Sequence, residues 1–298
     1  MAAAPINPVT LKRLLDLGES KNLRESSLLL HSELPKRLAR RVKGALTAFI
    51  VGVNPHIRGI YQLLTPKLHQ LLDSFDILSQ LPEPRDEETE KLFTLTLKDL
   101  VHSHGDVIPD WRKVCFQECG KYMSKEDAAD FLDGMIHARI AIRVLAEHHL
   151  ALQEPIPGYI GVLNTSLSPT SILRQTADYV EELCEINYGV APEHLDTRIT
   201  YISNHLEYIF MELLKNASRA TVEHSRRISR KGEQPPVLIT VARGPEDVTI
   251  RLGFGLPMSR IYAKYFGGSL DLKSVGGHGL DVFLRVPNIS RSDSKLLI

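Results

Sequence analysis

Apolar residues recur at steps of three and four through most of the first half of the chain. Leu34, Leu38, Val42, Leu46 and Phe49 line one helical face. Ser32 is expected to cap that helix, and Pro35, which has no N–H to donate, is tolerated in a first turn. Lys36, Arg37, Arg40, Arg41 and Lys43 fall on the other faces, to be met by solvent or by an acidic partner. Phe131, Met135, Ala138, Ile142, Leu145 and His149 alternate four and three apart, the spacing of a bundle seam, behind a Ser124/Asp127 capping pattern. His149 therefore points inward or at a neighbouring domain. Breaks at Gly52 to Pro55, Leu81 to Pro84 and Gly105 to Pro109 separate the amphipathic segments. The pattern predicts an all-α up-and-down helical bundle over residues 1–160, a fold that by itself names no chemistry.

From Glu154 to Thr170 the period is lost among Pro155, Pro157, Gly158, Gly161 and Pro169, which marks a domain boundary. Beyond it, helices are predicted over about 170–186 and 203–228. Strand alternation follows in Val237, Ile239 and Val241, then a Gly244-Pro245 turn, then Val248, Ile250 and Leu252. A short helix over 256–266 precedes two more strands, one with Leu270 and Leu272, the other with Leu280, Val282, Leu284 and Val286. Helices mixed with a mostly antiparallel sheet predict an α/β sandwich over residues 161–298.

Length and composition narrow the function classes. The 298 residues are enough for two domains, and 43% hydrophobic with 24% charged content is that of a globular protein. Basic and acidic residues balance at 36 each and aromatics make up 6%, which disfavours nucleic-acid binding despite the basic stretches Lys36 to Lys43 and Arg226 to Lys231. The longest mostly apolar run, Gly44 to Val53, is far short of the ~18–20 residues of a membrane span. Cys115, Cys119 and Cys184 form no metal-type pair of pairs, so reduced thiols in a non-oxidising compartment are expected rather than zinc or a disulfide. The N-terminus, with Lys12 and Arg13, shows no clear presequence.

The candidate chemistry lies on the helix from Ser203. At 100° per residue, His205, Tyr208, Glu212, Asn216, Arg219 and Glu223 fall in one arc, and Leu206, Phe210, Leu213, Leu214, Ala217 and Thr221 in the opposite one. A carboxylate and an amide oxygen one turn apart suit a hydrated Mg²⁺, and the carboxylate can also orient or deprotonate a hydroxyl. Lys215 and Arg219 add positive charge toward phosphate oxygens. An ordinary amphipathic helix accounts for the same pattern. Gly253-Phe254-Gly255, with a helix start near Leu256, offers backbone N–H groups to anionic oxygens, or simply makes a tight strand-to-helix turn.

Four segments in this region carry a resemblance: E-L-L-K-N-A-S-R-A at 212–220, G-F-G-L-P-M-S-R at 253–260, Y-F-G-G-S-L at 265–270 and G-L-D-V-F-L at 279–284. Together with E-L-P-K-R-L-A at 33–39 and R-V-L-A-E-H-H-L-A-L at 143–152, they make the chain similar to the mitochondrial dehydrogenase kinases. This family comprises the branched-chain 2-oxoacid and pyruvate dehydrogenase kinases. H-H-L-A-L leans toward the branched-chain branch. The resemblance implies a histidine-kinase-like (GHKL) ATP-binding domain behind the bundle and a mitochondrial matrix location. The activity implied is that of a protein serine kinase that uses ATP and Mg²⁺ to phosphorylate the dehydrogenase component while docked on lipoyl domains of the acyltransferase core. It implies that Glu212 orients or deprotonates the substrate serine, that Asn216 binds Mg²⁺, and that His149 bonds to the glutamate and tunes it. The glycine turn Gly253, Phe254, Gly255 and Leu256 would line the nucleotide site. Dimerisation through the sheet, as in relatives, is left open.

One departure bears on activity. The family carries an Asp-x-Gly-Gly-Gly loop and a long ATP lid between the second hairpin strand and the glycine turn, whereas Leu252 here runs straight into Gly253. Leu280 stands where the family has a threonine beside the adenine. A missing charge-assisted bond to adenine costs about 1.5–3 kcal/mol, and a missing lid removes water exclusion and phosphate positioning. Poor ATP binding is therefore expected. A splice or gene-model loss, engineered removal of the lid, and a true pseudokinase acting as a binding module all fit. Bacterial-style autophosphorylation of His149 is the weakest reading.

Overall fold

The computed structural model describes residues 1–6, 11–20, 22–50, 58–104, 125–184, 188–192, 197–227, 237–244, 247–253, 263–264, 267–275 and 279–287. The chain divides into two compact units, residues 1–8 with 16–155 and residues 9–15 with 156–298. No helix among the described residues is long and apolar enough to cross a membrane.

Helix α1 (Leu11–Glu19) has residues in both units. The first unit is helical, with α2 (Leu23–Ile50), α3 (Arg58–Gln80), α4 (Glu87–Ser103) and α5 (Lys125–Gln153). The long α2 packs against α3, α4 and α5, and α4 packs against α5. Leu30, Leu34, Leu38 and Val42 of α2 meet Leu71, Leu78, Phe93, Leu97, Val144 and Leu145 in a buried core. The break after α3 at Leu81 to Pro84 falls where the sequence places it. Asp86 then caps α4, its side chain accepting from Thr89 N at 2.9 Å. The breaks at Gly52 to Pro55 and Gly105 to Pro109, the Ser124/Asp127 cap, and Cys115 and Cys119 lie outside the described residues or side chains.

Two expectations for α2 are corrected. Its first turn is at Leu23, where Asn22 Oδ1 accepts from Glu25 N at 3.3 Å, so Ser32 is not a cap and Pro35 sits well inside the helix. Pro35 leaves the His31 carbonyl without its intrahelical donor, a cost borne because the helix is held by packing on several sides. That same packing buries two residues assigned to the solvated faces: Arg37 and Arg41 are each only 6% exposed.

The second unit mixes helices and sheets. A three-stranded antiparallel sheet has the order β1 (Tyr159–Ile160), β2 (Leu163–Leu167), β4 (Ile199–Tyr201). A five-stranded sheet has the order β3 (Tyr188–Pro192), β5 (Val237–Arg243), β6 (Asp247–Gly253), β8 (Gly279–Pro287), β7 (Ser269–Val275), with β3 parallel to β5 and every other pair antiparallel. The hairpins β5–β6 and β7–β8 are those the alternation predicts. The strands β1 to β4 are not, because they are short and carry no sustained apolar alternation. Helices α6 (Pro169–Cys184) and α7 (Ser203–Arg227) pack together, and α7 also rests on β2 and β6. Of the helix expected at 256–266, only Ala263 and Lys264 lie among the described residues. The pair Gly267-Gly268 that follows makes the turn into β7: Gly267 has φ +76°, and Gly268 N donates to Ala263 O at 2.9 Å.

Candidate active site

Helix α7 starts directly after β4, with Leu206 N bonded to Ile202 O at 3.3 Å. Its apolar arc is wholly buried, with Leu206, Ile209, Phe210, Leu213, Leu214 and Ala217 all at 0% exposure. Burial of this stripe fixes the rotation of the helix, and rotation alone decides where the polar residues stand. His205, Tyr208, Glu212 and Asn216 are half-buried, along the border between core and surface. Lys215 and Arg219 are exposed one turn apart. A carboxylate and an amide are thus held side by side, neither lost in the interior nor free in solvent.

The sheet brings a second set of predicted positions together. Gly253, the last residue of β6, pairs with Asp281 of β8, whose chain neighbour is Leu280. The start of the glycine turn and the position expected beside adenine therefore sit on adjacent strands at one end of the sheet that α7 covers. Arg251 Nη2 bonds Asp281 Oδ2 at 2.8 Å across the same strands. Phe254, Gly255 and Leu256 lie outside the described residues. Among the described residues, no three His, Cys, Asp or Glu side chains converge on a metal-sized site. A Mg²⁺ held by one amide oxygen, phosphates and waters needs no such group.

His149 belongs to the helical unit and is completely buried. Its Nδ1 lies 3.0 Å from Ser26 Oγ and its Nε2 2.9 Å from Thr94 Oγ1. Thr94 in turn donates to Glu90 Oε1 at 3.0 Å, which also receives Gln153 Nε2 at 3.1 Å and Ser27 Oγ at 3.4 Å. Burial pushes the His149 pKa down to about 4, only partly offset by the Glu90 charge. The imidazole is therefore neutral at pH 7, donating from one nitrogen and accepting at the other. Both ring nitrogens are thus engaged by hydroxyls of the bundle. Ser26, Ser27, Glu90, Thr94 and Gln153 escaped the sequence reading because three separate helices supply them.

Residues 8–164 match the family model described as mitochondrial branched-chain alpha-ketoacid dehydrogenase kinase, more than half of the chain. The chain belongs to the mitochondrial dehydrogenase kinase family. Among curated relatives of this dehydrogenase kinase, the mitochondrial pyruvate dehydrogenase (acetyl-transferring) kinase of Arabidopsis thaliana is 29% identical, over 97% of the chain and 92% of the relative. Isozyme 4 of Rhinolophus ferrumequinum is 28% identical over 95% of the chain and 82% of the relative, and isozyme 1 of Rattus norvegicus 26% over 95% and 78%. The family model carries a branched-chain name and these relatives a pyruvate name. The Arabidopsis alignment runs over 346 positions while this chain has 298 residues, so that relative holds residues with no counterpart here.

Proposed function

We propose that this dehydrogenase kinase is a mitochondrial matrix protein serine kinase of a 2-oxoacid dehydrogenase complex, with a GHKL-type ATP-binding domain whose Asp-x-Gly-Gly-Gly loop and lid are deleted, so that ATP binding is impaired. The observation that carries the reading is the placement of Glu212 and Asn216 one turn apart on the half-buried border of α7, in a chain that belongs to this family. When bound, Mg-ATP supplies the phosphoryl group and the neutralising charge. Glu212 orients the substrate serine hydroxyl and accepts its proton. Asn216 offers its amide oxygen to the metal, a donor that fits a hard, largely hydrated cation. Lys215 and Arg219 present cations toward phosphate oxygens, and the N–H groups from Gly253 through Phe254 and Gly255 to Leu256 receive them. Leu280 makes no hydrogen bond to adenine. The resemblance makes His149 the tuner of Glu212; the hydroxyls of Ser26 and Thr94 at its two ring nitrogens favour a role in the polar core of the bundle instead.

The partners are the dehydrogenase component, as serine substrate, and the lipoyl domains of the acyltransferase core, met by the bundle. The excess length of the aligned relative and the direct Leu252-Gly253 junction favour a second reading, a non-catalytic module that occupies lipoyl domains. Purified branched-chain and pyruvate dehydrogenase complexes, each incubated with the chain and labelled ATP, test both readings alongside calorimetric titration with Mg-ATP. Weak or absent nucleotide binding with capture of an acyltransferase core is expected. Ordinary micromolar Mg-ATP binding overturns the impairment, and failure to bind either complex overturns the assignment.

A further inference from the structure

An open cleft of about 790 Å³ lies within the second unit, lined by α6, α7 and β2. Its helical walls repeat every four residues, which sets one side chain per turn on the same face. Ser171, Gln175 and Tyr179 form the wall on α6, and Ser203, Glu207 and Met211 the wall on α7. Each wall runs about 12 Å along its helix. Asn164 of β2 and Tyr159 of β1 also line the cleft, and Tyr159 Oη stands 3.5 Å from Ser203 Oγ.

Two tyrosines at this cleft are left in contact with solvent: Tyr159 is 38% exposed and Tyr179 51%. Each leaves apolar ring surface at the cleft with a hydroxyl at its tip. Asn164, Gln175 and the serines offer donors and acceptors together. The charges balance, since among the described lining residues Arg198 is the one cation and Glu207 the one acid. Arg198 Nη1 donates to the Ser166 carbonyl at 3.3 Å, and its other N–H groups add donors to the set. Such a cleft exerts no net pull on an ion. Nor does β2 offer a strand edge to an extended peptide, because it is already paired on one side with β1 and on the other with β4.

We infer that this cleft binds an uncharged saccharide of disaccharide size, its C–H faces against the tyrosine rings and its hydroxyls toward Asn164, Gln175, Arg198 and Glu207. A sugar hydroxyl donates and accepts at once, so it can meet amide, guanidinium and carboxylate together. The volume lies in the range of small-molecule sites, and the length of the walls suits two linked rings. The site is independent of the kinase reading, since it uses neither Glu212 nor Asn216.

Maltose, cellobiose and trehalose serve as probes, each titrated into the full chain and followed by saturation-transfer NMR and calorimetry. At least one is expected to bind with a millimolar or tighter Kd. Tyr179→Ala and Gln175→Leu are each expected to weaken that binding ~10-fold or more. Both side chains are exposed, so Tm is expected to stay at the parent value, and either variant tests the location if the other fails to fold. Glu212→Gln is expected to keep full saccharide binding, which separates this cleft from the kinase site. Failure of all three sugars to bind, full binding by Tyr179→Ala and Gln175→Leu, or loss of binding in Glu212→Gln overturns the inference.

Discussion

His149 and Ser26 are 123 positions apart in sequence, yet the imidazole Nδ1 and the serine hydroxyl meet at 3.0 Å inside the bundle. The contact ties α5 to α2, and Thr94 on the other side of the ring ties both to α4. Phe93 stacks edge-on against the same imidazole, with ring centroids 6.1 Å apart. A histidine held this way acts as a polar pin of the helical core.

Protonating that pin weakens the fold. The folded pKa of about 4 lies below the unfolded value near 6.5, so between these two pH values the unfolded chain binds a proton that the native state excludes. Stability is thus unaffected by His149 above pH 6.5 and is lost as the pH falls toward 4, by about 3 kcal/mol in all. Urea unfolding at several pH values should show a smaller loss over this window for His149→Gln than for the parent chain. Parallel curves would show that the imidazole is already charged in the native state.

Phe93 is 1% exposed and also touches His31, with centroids 6.0 Å apart. Phe93→Ala should cost about 3–5 kcal/mol, the transfer term plus the cavity it leaves. Denaturant midpoints at pH 7 measure this directly, and a loss below about 1 kcal/mol would mean that the neighbouring helices collapse into the space.

At Gly268 a methyl group would run into the backbone carbonyl of Arg285 on β8 and also approach Ala263 O at 3.0 Å. Backbone cannot step aside as a flexible side chain can. Gly268→Ala should therefore destabilise the β7–β8 hairpin by about 2 kcal/mol or more, seen as a lowered Tm and faster amide exchange in β7.

Glu212→Gln and Asn216→Ala remove groups on the half-buried border of α7 and leave its buried stripe intact. Both variants should stay within about 1 kcal/mol of the parent in stability. Any phosphate incorporated by the parent chain should fall by about 100-fold or more in Glu212→Gln. Activity retained by both variants would place the reacting groups elsewhere.

The amphipathic helices and the two hairpins could be read from sequence because their signals are local. Leu206, Phe210, Leu213 and Ala217 already specify which side of α7 is buried, and alternation at Val237 to Val241 and Val248 to Leu252 specifies a hairpin. The arc of Glu212 and Asn216 follows from the same arithmetic. Short strands gave no such signal: β4 has three residues and β3 is defined by its parallel pairing to β5, a contact made across the whole length of α7. Burial of Arg37 and Arg41 was likewise beyond the one-helix pattern, since it depends on how many neighbours surround α2. What the sequence determined by itself is what repeats along one element: helix faces, strand alternation and the family motifs. What tertiary structure decided is what distant elements supply to each other, the hydroxyls around His149 and the burial of Arg41, because periodicity records which way a side chain points and says nothing of what will stand opposite it.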